Sequence, residues 1–305
     1  MTAWRASVPL EGRGGEPVDL WRTITSNGIN FLPPADIDED ARLLALTVPL
    51  EGGPRTLTIG QGAGGTALVE SEIDVANPDE ALALVRYLLR LDEDLSGFYA
   101  LAASDPILGW ATAGAGRMLR TPSVFEGVVK TICTTNCTWS ATERMVGALV
   151  EHLGGPAPGA PPSGPYGRAF PSPAAMAGAD EALFRDVVRC GYRGAYLRSL
   201  AAGVAEGRVN LEELDATNQE LSDEEVERRL LALPGVGPYA AAHVMMLLGR
   251  YSRLVLDSWT RPKYARLNGR AAKDATLVRK FRRYGRWAGL AFWLYLTRDW
   301  VPEPA

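Results

Sequence analysis

The 305-residue chain predicts an α+β protein that is mostly α: a small antiparallel sheet near the N-terminus followed by an all-helical body. Three observations carry this reading. Residues 18–74 hold β-rich or alternating segments set between Gly, Pro and Asn turns. From Pro78 onward, apolar residues recur at helical spacing. With 47% apolar residues, the chain can bury a large core, in one large domain or two modest ones.

Segments 19–25, 41–48 and 55–59 read as strands. Asn77-Pro-Asp-Glu opens a helix that runs through Leu91, with Asn77 as its cap. Further helices are expected over 97–102, 122–135, 138–153, 178–189, 193–206, 211–215 and 222–231. Residues 154–173, rich in Pro, Gly and Ala, read as a loop. A glycine-bearing turn then leads into a helix over 238–249, and helices over 258–268, 274–282 and 285–297 close the chain. No repeat is present. The expected division is a sheet domain with its connecting helix over 1–95 and a helical region over 96–305.

Net charge is −4, which by itself points to no polyanion. The distribution is uneven: residues 251–298 carry twelve Lys or Arg against two acids, Asp257 and Asp274. Either this end faces a polyanion or it is a solvated basic helix face. Cys133, Cys137 and Cys190 are too few and scattered for a disulfide framework, a zinc site or a four-cysteine iron–sulfur loop. The N-terminus lacks a basic-then-apolar signal pattern and no run approaches a membrane span. A cytoplasmic protein without a metal cluster is the simplest expectation, nucleoid-associated in a bacterium and not bound to membranes.

The most informative stretch is Leu233-Pro-Gly-Val-Gly-Pro-Tyr-Ala-Ala241, followed after an apolar helix by Val255-Leu-Asp-Ser-Trp259. Gly235 and Gly237 let the backbone turn tightly and present free N–H groups at a helix start, a site for a phosphate oxygen. Asp257 lies in an apolar run where a carboxylate is costly. It reads as a functional acid or as a helix cap ahead of Ser258-Trp-Thr, and the two are compatible.

This pair resembles the hairpin and downstream aspartate of the helix-hairpin-helix (HhH-GPD) base-excision DNA glycosylases. Phe125-Glu-Gly-Val-Val-Lys-Thr-Ile-Cys-Thr-Thr-Asn136, Phe170-Pro-Ser-Pro173, Gly191-Tyr-Arg-Gly-Ala-Tyr196 and Tyr284-Gly-Arg-Trp-Ala288 look like further landmarks of the alkylpurine and 8-oxoguanine branches, in family order over residues 18–298. The resemblance implies an N-terminal antiparallel β-domain beside a two-lobed helical body with the substrate cleft between the lobes. It also implies damaged double-stranded DNA as partner, action as a monomer, and no required cofactor. The carbonyls of Leu231, Leu233 and Val236 match those that hold a structural Na+ or K+ at the hairpin.

Residue by residue, Asp257 matches the catalytic carboxylate. Asn136 and Tyr192 match the residues that fill and wedge the duplex, and Arg193 one that reads the orphaned opposite base; the bland alternative makes Tyr192 core and Arg193 a surface charge. Trp293 matches the ring that stacks on the extruded base, and His243 the small residue on its other face, unless it is a satisfied helix residue. Gly28 and Phe31, in Asn27-Gly-Ile-Asn-Phe31, match the loop that reaches a purine edge. Tyr239 stands where some relatives carry an attacking lysine. None of Lys130, Lys263, Lys273 and Lys280 lies on that helix, so a monofunctional hydrolase is expected. Ala141 and Gly289 replace polar readers of the oxoguanine branch, which favours alkylated or deaminated purines. The alternatives are an 8-oxoguanine glycosylase without lyase activity and a non-catalytic hairpin protein that only binds distorted duplex.

Overall fold

The structure is a computed structural model, and it describes residues 3–218 and 220–301. Five strands, β1 (Trp4–Pro9), β2 (Ala35–Asp38), β3 (Leu43–Leu50), β4 (Gly53–Gln61) and β5 (Thr66–Ser71), form one antiparallel sheet in the order β1-β5-β4-β3-β2. Leu44 pairs with Ile59 and Leu46 with Leu57, so alternate apolar residues of β3 and β4 share a buried face.

Two helices complete this layer. The expected strand over 19–25 is instead helix α1 (Leu20–Ile24). Asp19 accepts from the Arg22 N–H at 2.9 Å, and the Thr23 and Thr25 hydroxyls each donate to a carbonyl four residues back at 2.8 Å. These local bonds satisfy the backbone without a partner strand. Leu20, Thr23 and Ile24 are the buried positions, a helical spacing that β-branched composition disguised. Helix α2 (Pro78–Leu88) begins where expected: the Asn77 side chain accepts from Glu80 N at 3.2 Å. Its Ala81, Val85 and Leu88 close the core over Leu46, Leu57 and Val69.

The remaining chain builds two apolar cores. One is shared by α4 (Val124–Thr134), α5 (Trp139–Leu153), α6 (Pro173–Gly178), α7 (Arg193–Ala205), α8 (Asp223–Leu231) and α9 (Pro238–Leu247). The other joins α3 (Ser96–Ala103) to α10 (Thr260–Asn268), α11 (Asp274–Phe281) and α12 (Ala288–Thr297). Helix α9 forms the seam: Ala240, Ala241 and Val244 belong to the first core, Met246 to the second, and Tyr239 packs on both. Helix α6 lies ahead of the helix expected over 178–189, which is reduced to a short π turn, Leu183–Val187, and that over 211–215 is a single 3-10 turn.

Arg90 and Arg117, both without exposed surface, tie the sheet layer to the lobes. Arg90 donates to the carbonyls of Met118 and Leu247; Arg117 donates to those of Arg90 and Glu93 and to the Glu16 carboxylate. Among the described residues no helix is long and apolar enough to cross a membrane.

Candidate functional site

The turn between α8 and α9 is built by its glycines. Gly235 has φ +79°, a left-handed backbone that L side chains resist, and a Cβ there would stand 2.9 Å from the Tyr196 ring. Gly237 is the N-terminal flank of α9 and has no atom within 4 Å of where its Cβ would be. No side chain caps α9, so the N–H groups of its first turn after Pro238 are left without a capping acceptor. Of the three carbonyls singled out, Leu233 O accepts from Val236 N at 3.2 Å, while those of Leu231 and Val236 accept no hydrogen bond among the described residues.

Asp257 sits just ahead of α10, half-buried. Its Oδ1 accepts from the backbone N–H groups of Trp259 at 2.8 Å and Thr260 at 2.6 Å, and its own N–H donates to Thr260 Oγ1 at 2.8 Å. This reciprocal cap holds the carboxylate in one orientation. Oδ2 takes part in no hydrogen bond among the described residues and remains available. Asp257 is therefore a cap through one carboxylate oxygen, and its other oxygen is left without a hydrogen bond among the described residues.

Two side chains on α9 feel that carboxylate. His243 is buried, and burial outweighs the pull of Asp257, lowering its pKa to about 4; the ring is neutral at pH 7. Its Nδ1 is buried without a hydrogen-bond partner, a rare condition in a folded interior. Tyr239, one turn earlier, stacks on His243 with centroids 5.8 Å apart and planes at 22°. Its hydroxyl lies 3.2 Å from Thr134 Oγ1 at the end of α4. Burial raises its pKa, opposed by the Thr134 bond and reinforced by the Asp257 charge, so it stays a protonated phenol.

Trp293 is buried on α12 and donates its Nε1 to the Ser26 carbonyl at 2.7 Å. It belongs to a cluster of three tryptophans, with Trp259 at 5.6 Å and Trp300 at 5.8 Å. Gly289, one turn before it, has no room for a side chain: a Cβ would fall 2.1 Å from the Arg253 carbonyl. The missing polar reader on this helix is thus a packing requirement of α12 against the 251–253 segment.

Asn136 follows α4 with φ +47° and is exposed. Its amide donates to Tyr192 Oη at 3.2 Å, and Tyr192 is 55% exposed, so it is not core. Arg193 is neither a surface charge nor free. It is buried, with Nε 3.3 Å from Thr135 Oγ1 and further bonds to the Thr135 and Cys190 carbonyls, which brace the loop carrying Asn136. Gly28 and Phe31 bound a 3-10 turn, Gly28–Phe31, held by Asn27, whose side chain accepts from Ile29 N at 3.0 Å. The residues that sequence reading missed here are Trp139, which packs on Gly28, and Trp259 and Trp300, which flank Trp293. Their signal was tryptophan itself, at or near the ends of helices in a chain with eight.

In the basic segment, Arg253, Arg261, Lys263 and Arg283 are spent in ion pairs with Glu227, Asp274, Asp299 and Asp105. Arg266, Arg270, Lys273, Arg279, Arg282 and Arg286 are exposed without one among the described residues. A well-formed cleft lies elsewhere. About 770 Å³ in volume, it is lined by Arg120, Glu93, Asp223, Arg250, Tyr251 and neighbouring residues at the C-terminal end of α9.

The architecture is that of solved DNA glycosylases. The chain superposes on MBOgg1 in complex with a low-affinity DNA ligand with TM-score 0.74, 22% identity, and 98% of each chain covered. The apo form of the Clostridium acetobutylicum 8-oxoguanine glycosylase/lyase gives 0.72 at 20% identity, covering 97% of each chain. The 3-methyladenine DNA-glycosylase of Archaeoglobus fulgidus gives 0.71 at 22% identity, covering 98% of this chain and all of that one (100%). The β-domain and two-lobed helical body implied by the sequence resemblance are therefore the fold observed. No family model matches the chain, and no curated protein matches it by sequence.

Proposed function

We propose that the chain is a DNA glycosylase of base-excision repair, monofunctional and directed at alkylated purines in double-stranded DNA. The observation that carries the reading is Asp257: a carboxylate fixed by two backbone N–H groups, with one oxygen free, beside a buried His243 whose Nδ1 lacks a partner. A protein that only binds duplex gains nothing from an acid near phosphates, which repel it.

The turn at Gly235 and Gly237 receives a backbone phosphate on the open N–H groups of α9, while Asn136 and Tyr192 fill the gap left by the extruded nucleotide. The carbonyls of Leu231 and Val236, free of other bonds, and that of Leu233 fit a monovalent cation, which would add positive charge beside the phosphate. As the C1′–N bond breaks, its electron pair leaves with the base and positive charge grows on the sugar. Asp257 Oδ2 stabilises that charge and takes a proton from the water that adds at C1′. A cationic alkylated base is a good leaving group and needs no second acid.

Covalent amine chemistry has no candidate on α9. Tyr239 is a neutral phenol, Lys130 is buried in a 2.6 Å ion pair with Glu126, and Lys263 is paired with Asp299. The preference for alkylated over oxidised purines rests on the resemblance, in which Ala141 and Gly289 stand where the oxoguanine branch has polar readers.

The test is excision from duplexes carrying single lesions: 3-methyladenine analogue, 7-methylguanine, hypoxanthine, ethenoadenine, and 8-oxoguanine opposite each base. Strand breaks that appear only after hot alkali, for an alkylated purine, are expected. Breaks without alkali would overturn the monofunctional reading, and 8-oxoguanine as best substrate would overturn the specificity. No product from any lesion would overturn the enzyme.

A further inference from the structure

Residues 26–28 touch two tryptophans. Trp293 holds the Ser26 carbonyl from within. Trp139, the first residue of α5, sets the benzo edge of its indole against Gly28, where a Cβ would lie 3.3 Å from Cη2, 3.6 Å from Cζ3 and 3.8 Å from Cζ2. Both elements are fixed. Asn27 is fully buried and bonded to Ile29 N, and the Thr138 hydroxyl accepts from Ala141 N at 3.3 Å, capping α5. Yet Trp139 remains 43% exposed, and among the described residues no aromatic ring covers it. It follows Asn136, the residue proposed above to enter the duplex, by three positions and contacts the loop at Gly28. A large indole set against Gly28 but left 43% exposed has no packing role that a smaller apolar residue would not fill.

We propose that Trp139 is the outer wall of the base pocket, a stacking face for the extruded purine and a selector for electron-poor, positively charged rings. This rests on the glycosylase reading above and extends it. The indole face is electron-rich, so an N-alkylated cationic purine gains cation–π attraction that a neutral hypoxanthine does not. A Cβ at Gly28 would make the indole give way slightly, so glycine lets the wall sit this close to the loop.

The experiment uses the full chain and its Trp139→Phe and Trp139→Ala variants, with two readouts. The first is tryptophan emission on binding a duplex whose 7-methylguanine carries a 2′-fluorinated, hydrolysis-resistant sugar, against the same duplex undamaged. Lesion-dependent quenching is expected in the natural protein and should be lost in Trp139→Phe. The second is single-turnover excision of 7-methylguanine and hypoxanthine. Trp139→Ala should slow the cationic substrate about ten-fold more than the neutral one, and Trp139→Phe should restore most of the rate. Quenching unchanged in Trp139→Phe, or no lesion-dependent quenching at all, would overturn the wall. Equal slowing of both substrates would overturn the selector. If no protein excises any lesion, the glycosylase reading fails, and the quenching measurement still decides the role of Trp139.

Discussion

The two ends of α9 differ in a way that size and charge would misrank. At the C-terminal end lies a cleft of about 770 Å³, dense in guanidinium and carboxylate groups. Much of that polarity is consumed internally. Arg250 donates to the carbonyls of Leu214, Leu221, Asp215 and Asn218 and to Asp223; Tyr251 donates to Glu93 at 3.2 Å. Where hydrogen bonds are missing, opposite charges still face each other at 3.6 Å, as in Arg90–Glu93 and Arg120–Asp215. The N-terminal end, about 15 Å away along the helix, is poorer in charge but rich in unspent groups: Asp257 Oδ2, His243 Nδ1, the first N–H groups of α9 and the exposed rings of Tyr192 and Trp139. On the proposed reading, the site lies where groups stay uncommitted, and the charged cleft is a joint.

The sharpest way to break this contrast is Asp257→Asn. The amide oxygen can keep the cap bonds to Trp259 and Thr260, so folding should be little changed. Excision should fall by about a thousand-fold or more, since charge stabilisation at C1′ and activation of water go together. Duplex affinity should hold or tighten as repulsion from phosphates is removed. Reduced affinity with unchanged excision would reverse the assignment of the two ends.

Arg250→Ala is the complementary change. It leaves four carbonyls and Asp223 without their donor in a buried setting, which should cost about 3–5 kcal/mol of stability in denaturant titration. Excision per folded molecule should be unaltered. A loss of turnover with intact stability would make the C-terminal cleft part of the site.

The N-terminal end was also the more legible in sequence, for a physical reason. Hairpin turns and caps are local: Gly235 must be glycine because of its own φ, and Asp257 announces itself by standing in an apolar run. The sheet-then-helix outline followed from periodicity, although β1, β2 and β5 had no named segment and 19–25 took helical form through Asp19 and two threonines. What stayed hidden depends on contacts across the chain. Nothing near Arg90 indicates that it bonds to Leu247, nor anything near Trp139 that Gly28 lies under its ring. Arg193 shows the same limit: its charge was visible, but its commitment to the Thr135 and Cys190 carbonyls was not.

The smallest expected effect concerns His243, the one histidine at the unsatisfied end. Its folded pKa is lowered from 6.5 to about 4, chiefly by burial. Between those values the unfolded chain binds a proton that the folded chain refuses, so stability rises with pH across this window. The contribution is fully present above pH 6.5 and is lost as pH falls towards 4, on the order of 3 kcal/mol in total. Acidic groups with altered pKa, such as Glu93 and Glu126, also titrate, but they are common to the natural protein and to His243→Leu. The difference between the two proteins therefore isolates the histidine. Urea titrations from pH 7 to pH 4 should show the natural chain losing stability more steeply than His243→Leu. Parallel profiles would mean that the imidazole finds a partner for its proton when folded, with Asp257 the nearest candidate, and the N-terminal end of α9 would then be as self-satisfied as the other.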